Sequence, residues 1–285
     1  ARENLCLYSS MNLHVIQWNA RSIIHKIPEL EAYIHVQEPT PDIICIQESW
    51  LKKGDKIEIE GYTCYRSDRL ENKQGGGTLT LIKNSLASYE IDKTHTDFDG
   101  MEYHISEILG QNAKIRIINL YNPGNDINYE TFDKFITKYL TNNTLICGDF
   151  NAHSPVWGHP NTNSKGRVLE KILSNTNLVL LNDSSATYFN SSSGTFTPLD
   201  LTFTTPQLSL KCSWNPSTQN LGSNHSIIHI HLNITTIESN NQQTNWAYKR
   251  ADWTKFTNLC NQKLTSDLSS KNVDTYYRSE ERRVG

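Results

Sequence analysis

The chain has 285 residues, 36% of them hydrophobic, and a formal net charge of −3 at pH 7, which fits one large α/β domain or two small ones. It has no apolar run of about 18 residues, so we predict no transmembrane helix, and we find no secretory signal at the N-terminus. The charge disfavours a protein that binds DNA tightly without metal ions. The six cysteines show no CxxC pair, which favours buried free thiols in a reducing compartment.

Apolar periodicity predicts a strand, a helix and a second strand at the start of the chain. This unit has about the right length for a parallel strand pair, and Pro28 suits the first turn of the helix. A strand, a glycine triplet, another strand and a hairpin follow. In order, the predicted elements are a strand at Leu13–Trp18, a helix at Ile27–Val36, and strands at Ile43–Gln47, Tyr62–Arg66, Thr78–Ile82, Tyr103–Leu109 and Lys114–Leu120.

The second half of the chain continues the alternation of helices and short strands. About a dozen strands with three or four helices fit two mixed sheets packed face to face, with helices outside. The predicted elements are helices at Tyr129–Leu140 and Gly166–Asn175, strands at Thr144–Cys147, Leu178–Leu181, Ala186–Phe189, Leu199–Phe203, Leu208–Trp214 and Ile227–Leu232, and one more helix at Asp252–Leu268.

Polar side chains recur where these apolar strands end or are interrupted. Asp149 and Asn151 follow a buried strand at a spacing of two, which would place both side chains on one side of an extended segment. Repetition of such groups at strand ends is typical of an α/β active site. The candidate residues are Asn19, Glu48, Asp149, Asn151 and Asp200, with His225 before the last strand.

The chemistry of these residues suggests a metal-assisted hydrolase. Glu48 and Asp149 offer the hard oxygen ligands that Mg²⁺ prefers. His225 could take a proton from an attacking water while Asp200 holds its other ring nitrogen. Structural interpretations remain open for each residue: a solvated acid at a strand end, an acid paired with a buried donor, or a histidine bonded within the core.

The motifs WN (18–19), QE (47–48), NLY (119–121), GDFN (148–151), LDLTF (199–203) and SNHS (223–226) occur in one order along the chain. This order resembles the endonuclease/exonuclease/phosphatase superfamily over residues 12–234. GDFNAHSPVWG followed by GRVLEKIL is similar to the apurinic-type endonuclease domain of jockey-like non-LTR retrotransposons. The resemblance implies a four-layer α/β sandwich and Mg²⁺-dependent cleavage of phosphodiester bonds in double-stranded DNA, with Mn²⁺ as an alternative ion.

The resemblance also implies roles for individual residues. Asn19 and Glu48 fall on metal-site positions, and Tyr121 falls on a phosphate-contacting tyrosine, although tyrosines at strand ends often only pack. Asp149 and Asn151 fall on the pair that handles the nucleophile and the transition state. Asp200 and His225 fall on the orienting acid and the histidine.

One departure from the superfamily concerns the last motif, where Ser-Asp-His is usual and this chain has Ser223-Asn224-His225. Asn224 keeps a carbonyl oxygen that could bind the metal but loses a negative charge, so metal affinity should fall. We therefore hypothesise a weakened or inactive nuclease. A phosphatase acting on lipid or inositol phosphates and a catalytically dead DNA-binding remnant are the alternatives.

The residues beyond the domain divide into two further segments. Residues 235–277 are predicted to be a linker and the start of a region that precedes a reverse transcriptase, and Asn245–Cys260 is similar to that joining region. Residues 278–285 resemble the translation of a sequencing adapter, and we interpret them as a non-native tail. The likeness implies a fused reverse transcriptase in the full-length protein, synthesis in the cytoplasm and action in the nucleus.

Overall fold

The computed structural model of the protein describes residues 11–69, 75–93, 100–110 and 114–234, with three single positions at 254, 257 and 258. The chain divides into two compact units, residues 1–239 and residues 240–285. The helix predicted at Asp252–Leu268 lies almost entirely outside the described residues, and the predicted tail lies wholly outside them. No helix in the described part is long and apolar enough to cross a membrane.

The described part contains fourteen strands, four α-helices and one 3₁₀ turn. In chain order they are β1 (Met11–Asn19), α1 (Ile27–His35), β2 (Ile43–Gln47), β3 (Tyr62–Ser67), β4 (Thr78–Lys83), β5 (Ser88–Lys93), β6 (Glu102–Leu109), β7 (Lys114–Tyr121), α2 (Tyr129–Tyr139), β8 (Thr144–Asp149), the 3₁₀ turn Pro155–Trp157, α3 (Ser164–Asn175), β9 (Val179–Leu180), β10 (Tyr188–Asn190), β11 (Thr195–Thr197), β12 (Asp200–Thr204), α4 (Pro206–Ser209), β13 (Cys212–Pro216) and β14 (Ile228–Ile234).

Twelve of the strands form two six-stranded mixed sheets, and β10 and β11 form a separate hairpin. The strand orders are β13-β14-β1-β2-β4-β3 and β5-β6-β7-β8-β12-β9. The pairs β1–β2 and β7–β8 are parallel, so β1 and β2 end at one edge of the first sheet, and β7 and β8 end at one edge of the second. The predicted parallel pair and the β6–β7 hairpin are confirmed.

Alternation along the strands builds the layers. In β1, Leu13 and Val15 join the cluster between the sheets, whereas Ile16 and Trp18 pack in the outer cluster that includes residues of α1. Strand β8 contributes to the inner cluster and also to the outer cluster that includes residues of α2 and α3. Because a strand presents successive side chains to opposite faces, each central strand supports two apolar layers. The predicted four-layer α/β sandwich is confirmed.

Three elements differ from the prediction, and one of them is β11 (Thr195–Thr197), where no strand was predicted. The apolar run Leu208–Trp214 was predicted to be one strand, but helix α4 (Pro206–Ser209) occupies its start, since Pro206 fits the first turn of a helix. The strand proper, β13, runs from Cys212 to Pro216. Strand β5 (Ser88–Lys93) was missed because its sequence is mostly polar, as suits a strand at a sheet edge.

Buried polar side chains connect the two sheets beside the strand ends. Gln17 of β1 donates from Nε2 to the carbonyl of Gly148 at 3.0 Å, and its Oε1 accepts from the Thr202 hydroxyl at 2.8 Å. Gln47 of β2 donates to Oδ1 of Asn119 at 2.7 Å. An unmade hydrogen bond here would cost about 1–3 kcal/mol. These contacts therefore favour one relative position of the sheets at the edge where the candidate residues lie.

Candidate active site

The candidate residues predicted from the sequence gather at one edge of the sandwich. The final residues of parallel strands supply three of them, and the pairing of Asp200 with Asp149 in the β12–β8 register brings in a fourth. By element, they are Asn19 at the end of β1, Glu48 after β2, Tyr121 and Asp149 at the ends of β7 and β8, Asn151 after β8, Asp200 at the start of β12, and Asn224 and His225 before β14.

Asn19 joins the two sheets at this edge through its side-chain amide. Its Nδ2 donates to Oε1 of Glu48 at 3.0 Å and to Oδ2 of Asp149 at 2.8 Å. Its Oδ1 accepts from the backbone N–H of Arg21 at 3.1 Å. The Ser223 hydroxyl donates to the Asn19 carbonyl at 2.6 Å. The amide nitrogen of Asn19 thus holds the carboxylates in place, and its predicted role as a metal ligand stays a prediction.

Glu48 sits in a left-handed backbone conformation, with φ of 51°. The indole Nε1 of Trp50 donates to its Oε2 at 3.0 Å, and Tyr121 lies near the same carboxylate. Burial and the nearby Glu48 and Asp149 carboxylates raise the pKa of Tyr121 well above its usual value. Tyr121 is therefore neutral and can donate a hydrogen bond, and its predicted contact with phosphate stays a prediction.

The glycine triplet, Gly75–Gly77, supports the loop that contains Glu48 and does not form a phosphate cradle. The N–H groups of Ser49 and Trp50 donate to the carbonyls of Gly77 and Gly76, at 3.1 and 2.8 Å. The N–H of Gly77 is occupied by the carboxylate of Glu102. A Cβ at Gly77 would lie 2.7 Å from the Ser49 hydroxyl, and the φ of Gly77 itself is positive. The close approach of the two loops explains why glycine is needed here.

His225 and Asp200 form a buried pair. The ring Nδ1 of His225 lies 2.8 Å from Oδ2 of Asp200, and Nε2 lies 4.0 Å from Oδ2 of Asp149. The Thr187 hydroxyl accepts from the backbone N–H of Asp200 at 3.0 Å. The second carboxylate oxygen of Asp200, Oδ1, is buried and has no hydrogen-bond partner among the described residues. Asp200 is thus placed to orient the imidazole, as the sequence predicted.

The concentration of carboxylates shifts the pKa values of the site. Burial alone would lower the pKa of His225, but Asp200, Asp149 and Glu48 together raise it to about 9. Burial and the Asp200 carboxylate raise the pKa of Asp149 to about 7. The clustered carboxylates contribute to both shifts, although burial is the larger cause for Asp149. A divalent cation would offset this negative charge.

Asn151 departs from the extended geometry that its spacing from Asp149 predicted. Its φ is 48°, in the left-handed region, which asparagine tolerates better than most residues. Its backbone N–H donates to Oδ1 of Asp149 at 3.0 Å, and its Nδ2 donates to the carbonyl of Asn122 at 2.8 Å. The side chains of Asp149 and Asn151 come together through this turn and not through strand alternation.

Asn224 contacts a neighbouring hairpin. Its Nδ2 donates to the carbonyl of Phe189 at 3.0 Å, and its own carbonyl accepts from the Phe189 N–H at 2.8 Å. The ring of Tyr188, one residue earlier, lies 4.7 Å from the ring of His225. Asn224 therefore connects β10 to the histidine, and its predicted role as a metal ligand stays a prediction.

One group of potential metal ligands stands out in the described part of the chain. Asp149, Asp200 and His225 each offer a ligand atom within 4.8 Å of the other two, and all three residues are buried. Because Asp200 already occupies Nδ1 of His225, we favour Asp149 with the nearby Glu48 as the carboxylates that would hold a hard cation. The excess negative charge of the site fits such an ion.

The comparisons with known proteins agree with the resemblance seen in the sequence. The sequence model of the endonuclease–reverse transcriptase family matches residues 115–229, a segment that contains Tyr121, Asp149, Asn151, Asp200 and His225. The resemblance to the endonuclease domain of a jockey-like retrotransposon is confirmed.

Two proteins to which this chain is similar come from Drosophila melanogaster. The "Probable RNA-directed DNA polymerase from transposon BS" is 27% identical over 183 residues, which covers 62% of this chain and 19% of the relative. The RNA-directed DNA polymerase from mobile element jockey is 22% identical over 174 residues, which covers 61% of this chain and 18% of the relative. The chain thus spans about a fifth of the length of the relatives it matches.

Similar solved structures confirm the α/β sandwich fold of this chain. The endonuclease domain of TRAS1, a telomere-specific non-LTR retrotransposon, aligns with a TM-score of 0.64 at 18% identity, over 79% of this chain and all of that one. The AP endonuclease LMAP from Leishmania major aligns with a TM-score of 0.64 at 12% identity, over 78% of this chain and 88% of that one.

Residues outside the predicted site differ in their exposure. Trp157 is fully buried and donates from Nε1 to the Ala152 carbonyl at 3.0 Å, so it packs and does not face solvent. Arg167 stays exposed on α3. The rings of His153 and His159 stack at 3.9 Å. The four described cysteines are free thiols as predicted, but only Cys45 and Cys147 are buried, whereas Cys64 and Cys212 are partly exposed.

The sequence analysis did not identify three residues that hold the candidate active site together. Trp50 and Thr187 support Glu48 and Asp200, and nothing in their local sequence indicates this. Asn163 reaches the carbonyl of Asn151 with its side chain at 3.2 Å. Asparagine is a favoured residue at the start of a helix, but the contact with the site depends on the tertiary fold.

Proposed function

We propose that this domain is a Mg²⁺-dependent endonuclease that nicks double-stranded DNA by phosphodiester hydrolysis and so primes reverse transcription of a non-LTR retrotransposon. The observation that supports it best is the convergence of the buried His225–Asp200 pair with the Asn19-bridged carboxylates Glu48 and Asp149. The matched relatives are named as RNA-directed DNA polymerases, and a nicked strand provides the 3′ end that such an enzyme extends.

The residues of the site divide the work of hydrolysis among themselves. Glu48 and Asp149 would hold the cation, which would polarise a phosphoryl oxygen when bound. Because the Nδ1–H of His225 is bound to Asp200, its Nε2 faces the interior of the site, where it can exchange a proton with a water or contact a phosphate oxygen. Tyr121 can donate to a phosphate oxygen from the same edge.

The hairpin β10–β11 supports a nucleic-acid substrate. Its aromatic residues Phe189 and Phe196 are 37% and 69% exposed, and their ring centroids lie 4.7 Å apart. The hairpin adjoins the site through the Tyr188–His225 bridge. Aromatic rings that project beside a cleavage site can stack on or wedge between bases, and this surface has less use for a small phosphoester.

The test of the proposal is nicking of supercoiled plasmid by the full chain, with Mg²⁺, with Mn²⁺ and with EDTA. The matched variant is Asp200→Asn, which keeps the shape of the side chain but removes the charge beside His225. We expect nicking that requires the metal and falls about 10²- to 10⁴-fold in the variant. Equal rates in EDTA and Mg²⁺, or equal rates for variant and wild type, would refute the proposal.

The same assay tests the hypothesis about Asn224. If the missing carboxylate weakens the nuclease, Asn224→Asp should nick faster than the wild-type chain, although it gives up the N–H donated to Phe189. Equal rates would show that Asn224 causes no defect. Release of phosphate from small phosphoesters without nicking would favour the phosphatase alternative. Salt-sensitive DNA binding without cleavage in either metal would favour the binding remnant.

A further inference from the structure

Asn163 connects the start of helix α3 to the loop that follows Asp149. Its Oδ1 accepts from the backbone N–H of Gly166 at 2.7 Å, which caps the helix, and from the N–H of His153 at 3.0 Å. Its Nδ2 donates to the carbonyl of Asn151 at 3.2 Å. One partly buried amide thus holds both the first turn of α3 and two residues of the loop.

A close backbone approach supports this connection independently. A Cβ added at Gly166 would lie 1.8 Å from the carbonyl oxygen of His153, so the first turn of α3 rests directly on the loop. The N–H of Asn163 donates to that same carbonyl at 3.1 Å. Helix α3 also packs on the second sheet through Leu169 and Ile172. The helix therefore gives the loop a rigid support.

Asn151 needs such a support because its backbone is in a disfavoured conformation. The described contacts hold it from three sides: its N–H binds Asp149, its side-chain amide binds the Asn122 carbonyl, and its own carbonyl binds Asn163. Without the third contact, the backbone of Asn151 can rotate toward more common φ values. The N–H and the side chain of Asn151 would then move relative to Asp149.

We propose that Asn163 is a positioning residue for the proposed nuclease reaction, because it fixes the left-handed turn that presents Asn151 beside Asp149. The inference rests on the proposed function in so far as it concerns catalysis. Asn163 acts through Asn151 and contacts no candidate metal ligand directly in the described structure. Its loss should therefore lower the rate of the chemical step and leave substrate binding nearly unchanged.

The discriminating variant is Asn163→Asp. A carboxylate caps a helix as well as an amide does, and it can still accept from Gly166 and His153. It cannot donate to the Asn151 carbonyl. The matched control is Asn128→Asp, since Asn128 caps α2 in the same way and accepts from the N–H of Thr131 at 3.0 Å. Both variants make the same chemical change at a helix cap.

We expect Asn163→Asp to lower kcat for plasmid nicking about 10- to 100-fold, with KM for DNA changed less than about threefold. Its Tm should stay within about 2 °C of the wild type, since the helix cap is kept. Asn128→Asp should retain wild-type kcat and KM. An unchanged kcat in Asn163→Asp, or an equal loss in the Asn128→Asp control, would overturn the inference.

Amide hydrogen exchange separates this inference from the proposed function. In Asn163→Asp, the N–H of Asn151 should exchange at least about tenfold faster, because its bond to Asp149 opens more often, and Asn128→Asp should leave it unchanged. This holds even if the wild-type chain nicks no plasmid, which would refute the proposed function alone. Unchanged exchange at Asn151, or exchange accelerated equally throughout the domain, would refute the positioning role.

Discussion

Acid should destabilise this domain through a chain of hydrogen-bonded histidines far from the strand ends. His14 Nδ1 lies 3.0 Å from the Pro39 carbonyl, His14 Nε2 lies 2.8 Å from Nδ1 of His229, and Nε2 of His229 lies 2.7 Å from the Tyr33 hydroxyl. Because a carbonyl can only accept, His14 must donate from Nδ1. The pKa values of His14 and His229 are lowered, so both rings are neutral near pH 7, and His229 then donates to His14 and accepts from Tyr33.

The magnitude follows from the environment of His229. Burial, with the neighbouring His14 and His231 rings, lowers the pKa of His229 to about 4 from 6.5. Burial also lowers the pKa of His14, although the nearby Asp42 carboxylate opposes this. The full difference for His229 corresponds to roughly 3.4 kcal/mol, which solvent at its partly exposed ring reduces to about 1–2 kcal/mol.

The sign of the effect is fixed by which state binds the proton. Above pH 6.5 His229 is neutral in both the folded and the unfolded chain, and it costs nothing. Between pH 6.5 and about 4 the unfolded chain takes up a proton that the folded chain refuses, so the free energy of unfolding falls. Below about pH 4 the contribution of His229 levels off.

The assay is urea unfolding from pH 7.5 to 4.5, with His229→Gln compared with His25→Gln. His25 is an exposed histidine, so its variant controls for the loss of one imidazole. We expect His229→Gln to lose about 1–2 kcal/mol less than the wild type between these pH values, whatever its stability at pH 7.5. The reasoning is refuted if the two variants and the wild type show parallel pH dependence.

Two further predictions concern packing and substrate contact. Gly166→Ala should lower the free energy of unfolding by about 1–3 kcal/mol, because its methyl group would meet the His153 carbonyl. The control is Gly54→Ala, since nothing lies within 4 Å of a Cβ at that position. Equal Tm values for the two variants would contradict the close approach. Phe196→Ala should weaken DNA binding about 2- to 10-fold at unchanged Tm, whereas Leu210→Ala, 90% exposed, should not; equal affinities would remove Phe196 from the substrate surface.

The sequence predicted the central strands well because their apolar runs are long and bounded by polar residues. The predicted strand Ile43–Gln47 matches β2 residue for residue. The gathering of Glu48 and Asp149 at one edge was predicted from the repetition of polar residues at the ends of strands. Strand β5 was missed because an edge strand need not be apolar, and Leu208–Trp214 was misassigned because leucine and tryptophan serve helices and strands alike.

The parts of the site that were not predicted depend on contacts across the fold. The left-handed turn at Asn151 requires partners in Asn122 and Asn163, which lie 29 and 12 residues away in the chain. The contact of Asn224 with Phe189 likewise needs a hairpin 35 residues earlier. Local periodicity carries no information about such pairs. Sequence motifs therefore predicted which residues gather, and the structure shows how they are held.

The pairing of β1 with β14 affects how the domain matures during synthesis. The two strands pair antiparallel, from Met11 opposite Ile234 to Gln17 opposite Ile228. Ser223, which precedes β14, donates from its hydroxyl to the carbonyl of Asn19 at the end of β1. Among the described strands, β1 is made first and β14 last, so the early strand waits for its partner through more than two hundred residues. A nascent chain that stops before His225 has neither the imidazole of the candidate site nor the neighbour of β1.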